Sequence, residues 1–191
     1  MKKEIINFYK NKKILVTGST GFKGAWLSLW LNMLGANVYG IGYKPNNNKK
    51  LFNQLKLKKK IFFKNIDIRN FSKIKNHIKK IKPEIIFHLA AQPIISKSYE
   101  LPKYTYEVNA IGTLNLIDAA LNHESGKFIY ASSVAVYGSP TDLPVSETGP
   151  IRPIYSYGIA KQCGEEYVKY YGANKGLDFH IVRYGNVYGP R

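Results

Sequence analysis

Short runs of β-branched and aromatic residues alternate along this chain with longer segments of helical periodicity, the pattern of a parallel α/β sheet. Segments 13–17, 37–41, 61–64, 84–88, 127–131 and 178–183 read as strands. Between them, 21–34, 70–81, 104–123 and 155–175 read as helices, and 49–57 as a short, weakly marked one. Pro83 stands just before the fourth strand, where a helix must already have ended. No internal repeat and no linker of domain-boundary character interrupts the pattern. Six strands joined by right-handed crossovers predict a Rossmann-like doubly wound parallel sheet flanked by helices, with residues 1–191 as one domain.

Composition narrows the picture. With 191 residues, 45% hydrophobic and 21% charged, the chain is globular and not disordered. No apolar run reaches the roughly 18 residues of a membrane span; the best candidate, 25–34, is broken by Ser28 and Asn32. The first residues hold lysines but no apolar core of a secretory signal. A single cysteine, Cys163, excludes an internal disulfide, a zinc cluster and a redox pair. His77, His123 and His180 show no metal-ligand spacing. A cytoplasmic domain without a membrane partner or a metal is expected.

The formal charge of +17 raises the question of a nucleic-acid partner. Much of it falls between Lys44 and Lys82, as lysine pairs and the triplet Lys58-Lys59-Lys60 among Asn and Ile. That stretch holds one arginine, Arg69, and does not interleave arginines with aromatics. It reads as a solvated basic face with no specific nucleic acid to bind.

Candidate chemistry begins where the first strand runs into Thr17-Gly18-Ser19-Thr20-Gly21-Phe22-Lys23-Gly24 and a helix follows. Backbone N–H groups at such a helix start attract a pyrophosphate, and glycines let it approach closely. Gly18, Thr20, Gly21, Phe22 and Gly24 are therefore candidate dinucleotide contacts. The spacing is G-x-x-G-x-x-G. Tyr157 and Lys161 lie four apart on a predicted helix and share a face. A tyrosine titrates near pH ~10, and a neighbouring ammonium favours its phenolate, so the pair makes a candidate general base. His88, at a strand end, reads as a hydrogen-bonded core residue.

This ordered series resembles the extended short-chain dehydrogenase/reductase family, whose members act on nucleotide sugars. T-G-x-x-G-F-x-G is followed by Asp67-Ile68, His88-Leu89-Ala90-Ala91-Gln92, Asn109 with Gly112-Thr113, Ser132-Ser133, Tyr157-x-x-x-Lys161 and Arg183-Tyr184-Gly185-Asn186. The resemblance covers nearly the whole chain. It implies a nucleotide-sugar substrate, adenine contacts from Asp67 and Ile68, and Leu89, Ala90 and Ala91 beside the cofactor, with Tyr157 and Lys161 also touching it. Ser133, Tyr157 and Lys161 are implied as catalytic, and Gln92, Ser133 and Asn186 as substrate contacts. It implies a C-terminal substrate lobe that this chain lacks, and a homodimer for the full-length form.

The second strand ends Gly40-Ile41-Gly42-Tyr43-Lys44, without the carboxylate that binds ribose hydroxyls, and Lys44 would suit a 2′-phosphate. Sugar-modifying members of the family retain NAD, and NAD is favoured over NADP on that resemblance. On reaction type the segments point two ways. Ser132-Ser133-Val134-Ala135-Val136-Tyr137-Gly138 resembles the family's 4-epimerase pattern, because 4,6-dehydratases carry ionisable residues where Val134 and Ala135 stand. Segments 21–31 and 88–99 instead resemble the CDP-glucose 4,6-dehydratases. A 4-epimerase is expected, a 4,6-dehydratase is the alternative, and a dinucleotide-binding fragment without chemistry is a third reading.

Overall fold

The structure, a computed structural model, describes residues 3–43, 51–123, 125–141 and 143–190. Helix α1 (Lys3–Tyr9) leads into β1 (Lys13–Thr17), α2 (Phe22–Met33) and β2 (Asn37–Gly42). A short α3 (Leu51–Gln54) and a 3-10 turn at Leu57–Lys59 precede β3 (Phe62–Asn65), α4 (Phe71–Ile81) and β4 (Ile85–His88). The second half carries α5 (Ile95–Glu100), α6 (Pro102–Tyr106), α7 (Gly112–Leu121), β5 (Lys127–Ser133), α8 (Ser156–Lys175) and β6 (Phe179–Tyr184).

All six strands pair in parallel, in the order β3-β2-β1-β4-β5-β6. The chain moves outward one way from β1, then returns to add β4 on its other side. The two crossovers leave a crevice at the carboxyl ends of β1 and β4, where the connections turn to opposite faces.

Strand periodicity divides the core. Ile14 and Val16 of β1 pack with Ala25 and Leu31 of α2 on one face. Leu15, between them, packs on the other with Ile74 and Ile78 of α4 and Leu116 of α7. This two-residue alternation is what β geometry dictates for a sheet covered on both faces. In α4 the side chain of Asn70 accepts the Lys73 N–H at 3.0 Å, a helix cap, while Ile74, His77, Ile78 and Ile81 face inward. Among the described residues no helix is long and apolar enough to cross a membrane, and no His, Cys, Asp and Glu cluster suits a metal.

Two expected elements differ. The helix expected over 104–123 is divided by a stretch of wider π-type turns at Glu107–Ile111. Here the Thr113 hydroxyl donates to the Asn109 carbonyl at 2.6 Å, and the Asn109 side chain turns to bracket the backbone of Gln92. The short helix expected over 49–57 is α3 plus the 3-10 turn; residues 49 and 50 lie outside the described residues.

His77 is buried with neither ring nitrogen hydrogen-bonded. Burial, then Lys64 and Lys80, push its pKa down to about 4. The unfolded chain therefore takes up this proton first, near pH 6.5. Its contribution is constant above that value and is lost as pH falls towards about 4. The urea midpoint is expected to drop between pH 7 and 4.5, and the drop to be shallower in His77→Leu. Equal slopes in the two proteins would show that another group governs the acid limb.

Candidate functional site

A groove of about 510 Å³ opens at the carboxyl edge of the sheet, within the size range of ligand sites. The strand order decides what meets there. Asp67 and Ile68 follow β3, Tyr43 follows β2, the loop Gly18–Gly24 follows β1, Leu89, Ala90 and Ala91 follow β4, and Tyr184 ends β6. All line the groove.

The loop is held by close packing. Gly18 has φ +73°, and a Cβ there would lie 2.8 Å from the Ala90 nitrogen. A Cβ on Gly24 would collide with the Gly18 carbonyl, so the first turn of α2 can rest directly on the loop. The side chains of Ser19 and Thr20 fill the places that Cβ atoms on Gly40 and Gly42 would occupy, at 2.8 Å and 2.6 Å. Gly21, the N-cap of α2, offers no side chain, so no cap bond competes with a ligand for the helix N–H groups.

Behind the loop runs a buried relay. The Ala90 N–H donates to the Thr17 hydroxyl at 3.0 Å, and Thr17 Oγ1 meets His88 Nδ1 at 2.7 Å. His88 Nε2 meets Thr113 Oγ1 at 2.9 Å, and that hydroxyl donates to Asn109. Since both threonine hydroxyls are committed in this way, His88 carries its proton on Nε2. Burial and Lys161 hold it neutral, with its pKa lowered to about 3. It is a core histidine, as its strand-end position suggested.

At the other end, Ser133 and Tyr157 line the groove together with Tyr184 and Asn186. Ser133 caps the 3-10 turn Val134–Tyr137 by accepting the Ala135 N–H at 3.2 Å. Burial raises the Tyr157 pKa; the adjoining Ser133 hydroxyl acts against this, and Tyr155 adds to it. Lys161 stands behind, 3% exposed, donating to the Ala131 carbonyl at 2.6 Å with its ammonium 5.0 Å from the Tyr130 ring. Burial, then Lys23, depress its pKa to about 7, while Glu165 opposes. The expected lowering of Tyr157 by Lys161 is thus not present in this state: the strand carbonyl takes the ammonium, and desolvation dominates the phenol.

Gln92 also departs from expectation. It is buried outside the groove wall, and its amide is spent on Ile94, as donor at 3.0 Å and acceptor at 2.7 Å, and on Thr105 at 3.0 Å. It shapes the turn after β4, with both amide hydrogens and one oxygen lone pair committed there. Lys44 lies outside the described residues.

Sequence reasoning missed two features. Glu165, fully buried, accepts two bonds from Arg183 at 2.9 and 2.7 Å and one from Ser132 at 2.5 Å, tying α8 to the ends of β5 and β6. Its place four residues after Lys161, on the face Tyr157 and Lys161 share, was a readable signal. Lys23 was the second; it lines the groove beside Tyr184.

Glycine loop, uncapped helix and the Asp67-Ile68 corner fit a dinucleotide, and Ser133 and Tyr157 bring two hydroxyl groups to the same groove. The class defined is a parallel α/β domain with a glycine-loop groove at the carboxyl edge of its sheet. The chain belongs to the NAD-dependent epimerase/dehydratase family, whose sequence model matches residues 14–191. It is 34% identical over 180 residues to the UDP-glucose 4-epimerase of Mycolicibacterium smegmatis, covering 94% of this chain and 57% of that one. It is 38% identical over 168 residues to the CDP-glucose 4,6-dehydratase of Salmonella typhimurium, covering 83% and 45%. Among solved structures, the UDP-glucose 4-epimerase of Thermotoga maritima with UDP-glucose matches with a TM-score of 0.86 and 32% identity, covering 93% of this chain and 57% of that one. The Thermus thermophilus UDP-glucose 4-epimerase complex with NAD matches with a TM-score of 0.81 and 33% identity, covering 93% and 56%. The chain spans about half the length of the curated relatives it matches.

A buried lysine costs stability wherever it is charged. The folded pKa of Lys161 is about 7 and the unfolded one near 10.5, so the penalty is full at pH 7 and below and fades towards pH 10. Lys161→Met is expected to raise unfolding free energy at pH 7 relative to wild type and to lose that advantage towards pH 10. Chemical denaturation at pH 7 and 10 checks this; a difference independent of pH would contradict it.

Proposed function

We propose that this chain is the dinucleotide-binding part of an NAD-using nucleotide-sugar 4-epimerase. One observation carries the reading. Ser133 and Tyr157 line the same groove as the glycine loop, while the next two residues, Val134 and Ala135, have no ionisable group. When bound, the nicotinamide supplies a hydride acceptor and donor and a positive ring charge.

The rest falls to the protein. Tyr157 takes and returns the proton of the C4 hydroxyl, and Ser133 holds the same oxygen. Lys161, one helical turn after Tyr157 on α8, favours its anion once the ammonium turns from the Ala131 carbonyl. Asn186, exposed at the groove rim, contacts the sugar. Inversion at C4 needs proton transfer at one oxygen only, which this set supplies. Loss of water across C5 and C6 needs a further acid and base. Val134, 47% exposed, and the buried Ala135 offer neither.

A 4,6-dehydratase is the second reading, supported by the resemblance of segments 21–31 and 88–99 to that enzyme class. A fragment that binds dinucleotide without chemistry is the third. A cytoplasmic homodimer of the longer protein belongs to the first reading.

The test joins residues 1–191 to the C-terminal half of a relative and supplies a nucleotide hexose. Mass spectrometry is expected to show C4 epimers of unchanged mass; a product lighter by one water would favour the dehydratase. Tyr157→Phe is expected to lower turnover by about 10²–10⁴ and leave NAD affinity nearly unchanged, and Ser133→Ala to cost less.

A further inference from the structure

Lys23 is the only ionisable residue of the Gly18–Gly24 loop, and among the described residues no carboxylate balances its charge. Its ammonium rests 4.5 Å from the centre of the Tyr184 ring. It stands in the wall between the dinucleotide groove and a second, apolar cleft that includes Trp26, Leu27 and Tyr188. An apolar side chain would serve that cleft at lower cost, so the charge itself needs a reason.

The surroundings sharpen the point. Lys23 is the second residue of α2, whose first turn holds no acidic group, and the amino end of a helix disfavours a cation. Burial lowers its pKa, and its charge in turn depresses that of Lys161. The Lys23 ammonium and the amino end of α2 thus meet at one groove. Such a field is balanced by an anion that enters it.

We propose that Lys23 is a pyrophosphate-binding residue of this groove, its ammonium leaving the Tyr184 ring to pair with a phosphate oxygen of the ligand over the loop. This rests on the dinucleotide reading and deepens it by adding a side-chain charge to the backbone N–H groups. Two ligands of that reading carry a pyrophosphate, the dinucleotide and the nucleotide sugar, and the experiment separates them.

Calorimetric titration of the 191-residue chain, as wild type, Lys23→Met and Lys23→Arg, uses NAD, ADP, adenosine and UDP-glucose. Lys23→Met is expected to weaken NAD and ADP by about tenfold or more, the scale of one charge-assisted hydrogen bond. Adenosine, which has no phosphate, is expected to bind all three proteins equally. Lys23→Arg is expected to stay close to wild type, because guanidinium also pairs with phosphate. A loss confined to UDP-glucose would uphold the pyrophosphate role and assign it to the sugar nucleotide. Wild-type affinity of Lys23→Met for every pyrophosphate ligand would overturn the proposal, as would an equal loss for adenosine. Failure of the wild type to bind NAD or ADP would instead defeat the dinucleotide reading. The UDP-glucose arm then decides for Lys23, loss in Lys23→Met upholding it and no loss, or no binding at all, overturning it.

Discussion

The whole site hangs on how closely the end of β1 approaches the end of β4. Gly18 turns with a positive φ against the Ala90 backbone, at a separation that no Cβ would allow. Thr17, one residue earlier, uses its hydroxyl to hold the Ala90 N–H on one side and His88 on the other. A neutral, fully buried His88 then reaches Thr113 on α7. One hydrogen-bond chain therefore fixes the loop after β1, the loop after β4 and the helix above them relative to each other. Because the interior leaves unpaired polar groups costly, these three pieces are committed together.

That dependence explains what was legible in the chain and what was not. The six strands and the glycine loop could be read because their causes are local: period-two apolar residues, and a G-x-x-G-x-x-G run between a strand and a helix. Tyr157, Lys161 and Ser133 were singled out by spacing and resemblance. Tyr157 and Ser133 do share the groove. The packing role of Gln92 was not legible, because its amide bonds to Ile94 and Thr105, partners that sequence does not identify. The π-type turns at Glu107–Ile111 were missed for the same reason. They follow from bonds between Asn109, Thr113 and Gln92 that exist only once β4 and α7 are assembled.

Lys161 illustrates a conflict between fold and chemistry. Sequence spacing pairs it with Tyr157, but the folded chain buries it beside Tyr130 and satisfies it with a strand carbonyl. Glu165, four residues on, binds Arg183 and Ser132, and so holds the ends of β5 and β6 around the lysine. The buried ion pair keeps geometry; the buried lone ammonium opposes stability. A charge retained against that cost is what a functional site requires and a packed core does not.

The two ends of the groove also answer different questions. The β1–α2 segment, with Lys23, bears on what is bound, because its backbone and one ammonium face the crevice. The β5 end bears on what can be done to a bound sugar, since Ser133, Val134 and Ala135 follow one another there. Likeness to a dehydratase in the first segment and to epimerases in the second is therefore no contradiction. A groove can keep a binding wall while proton-transfer groups on another strand change. Elimination requires an added acid and base, and a turn that exposes a valine and buries an alanine supplies neither. Reaction type in the proposed function accordingly follows the β5 end, and ligand charge follows the loop.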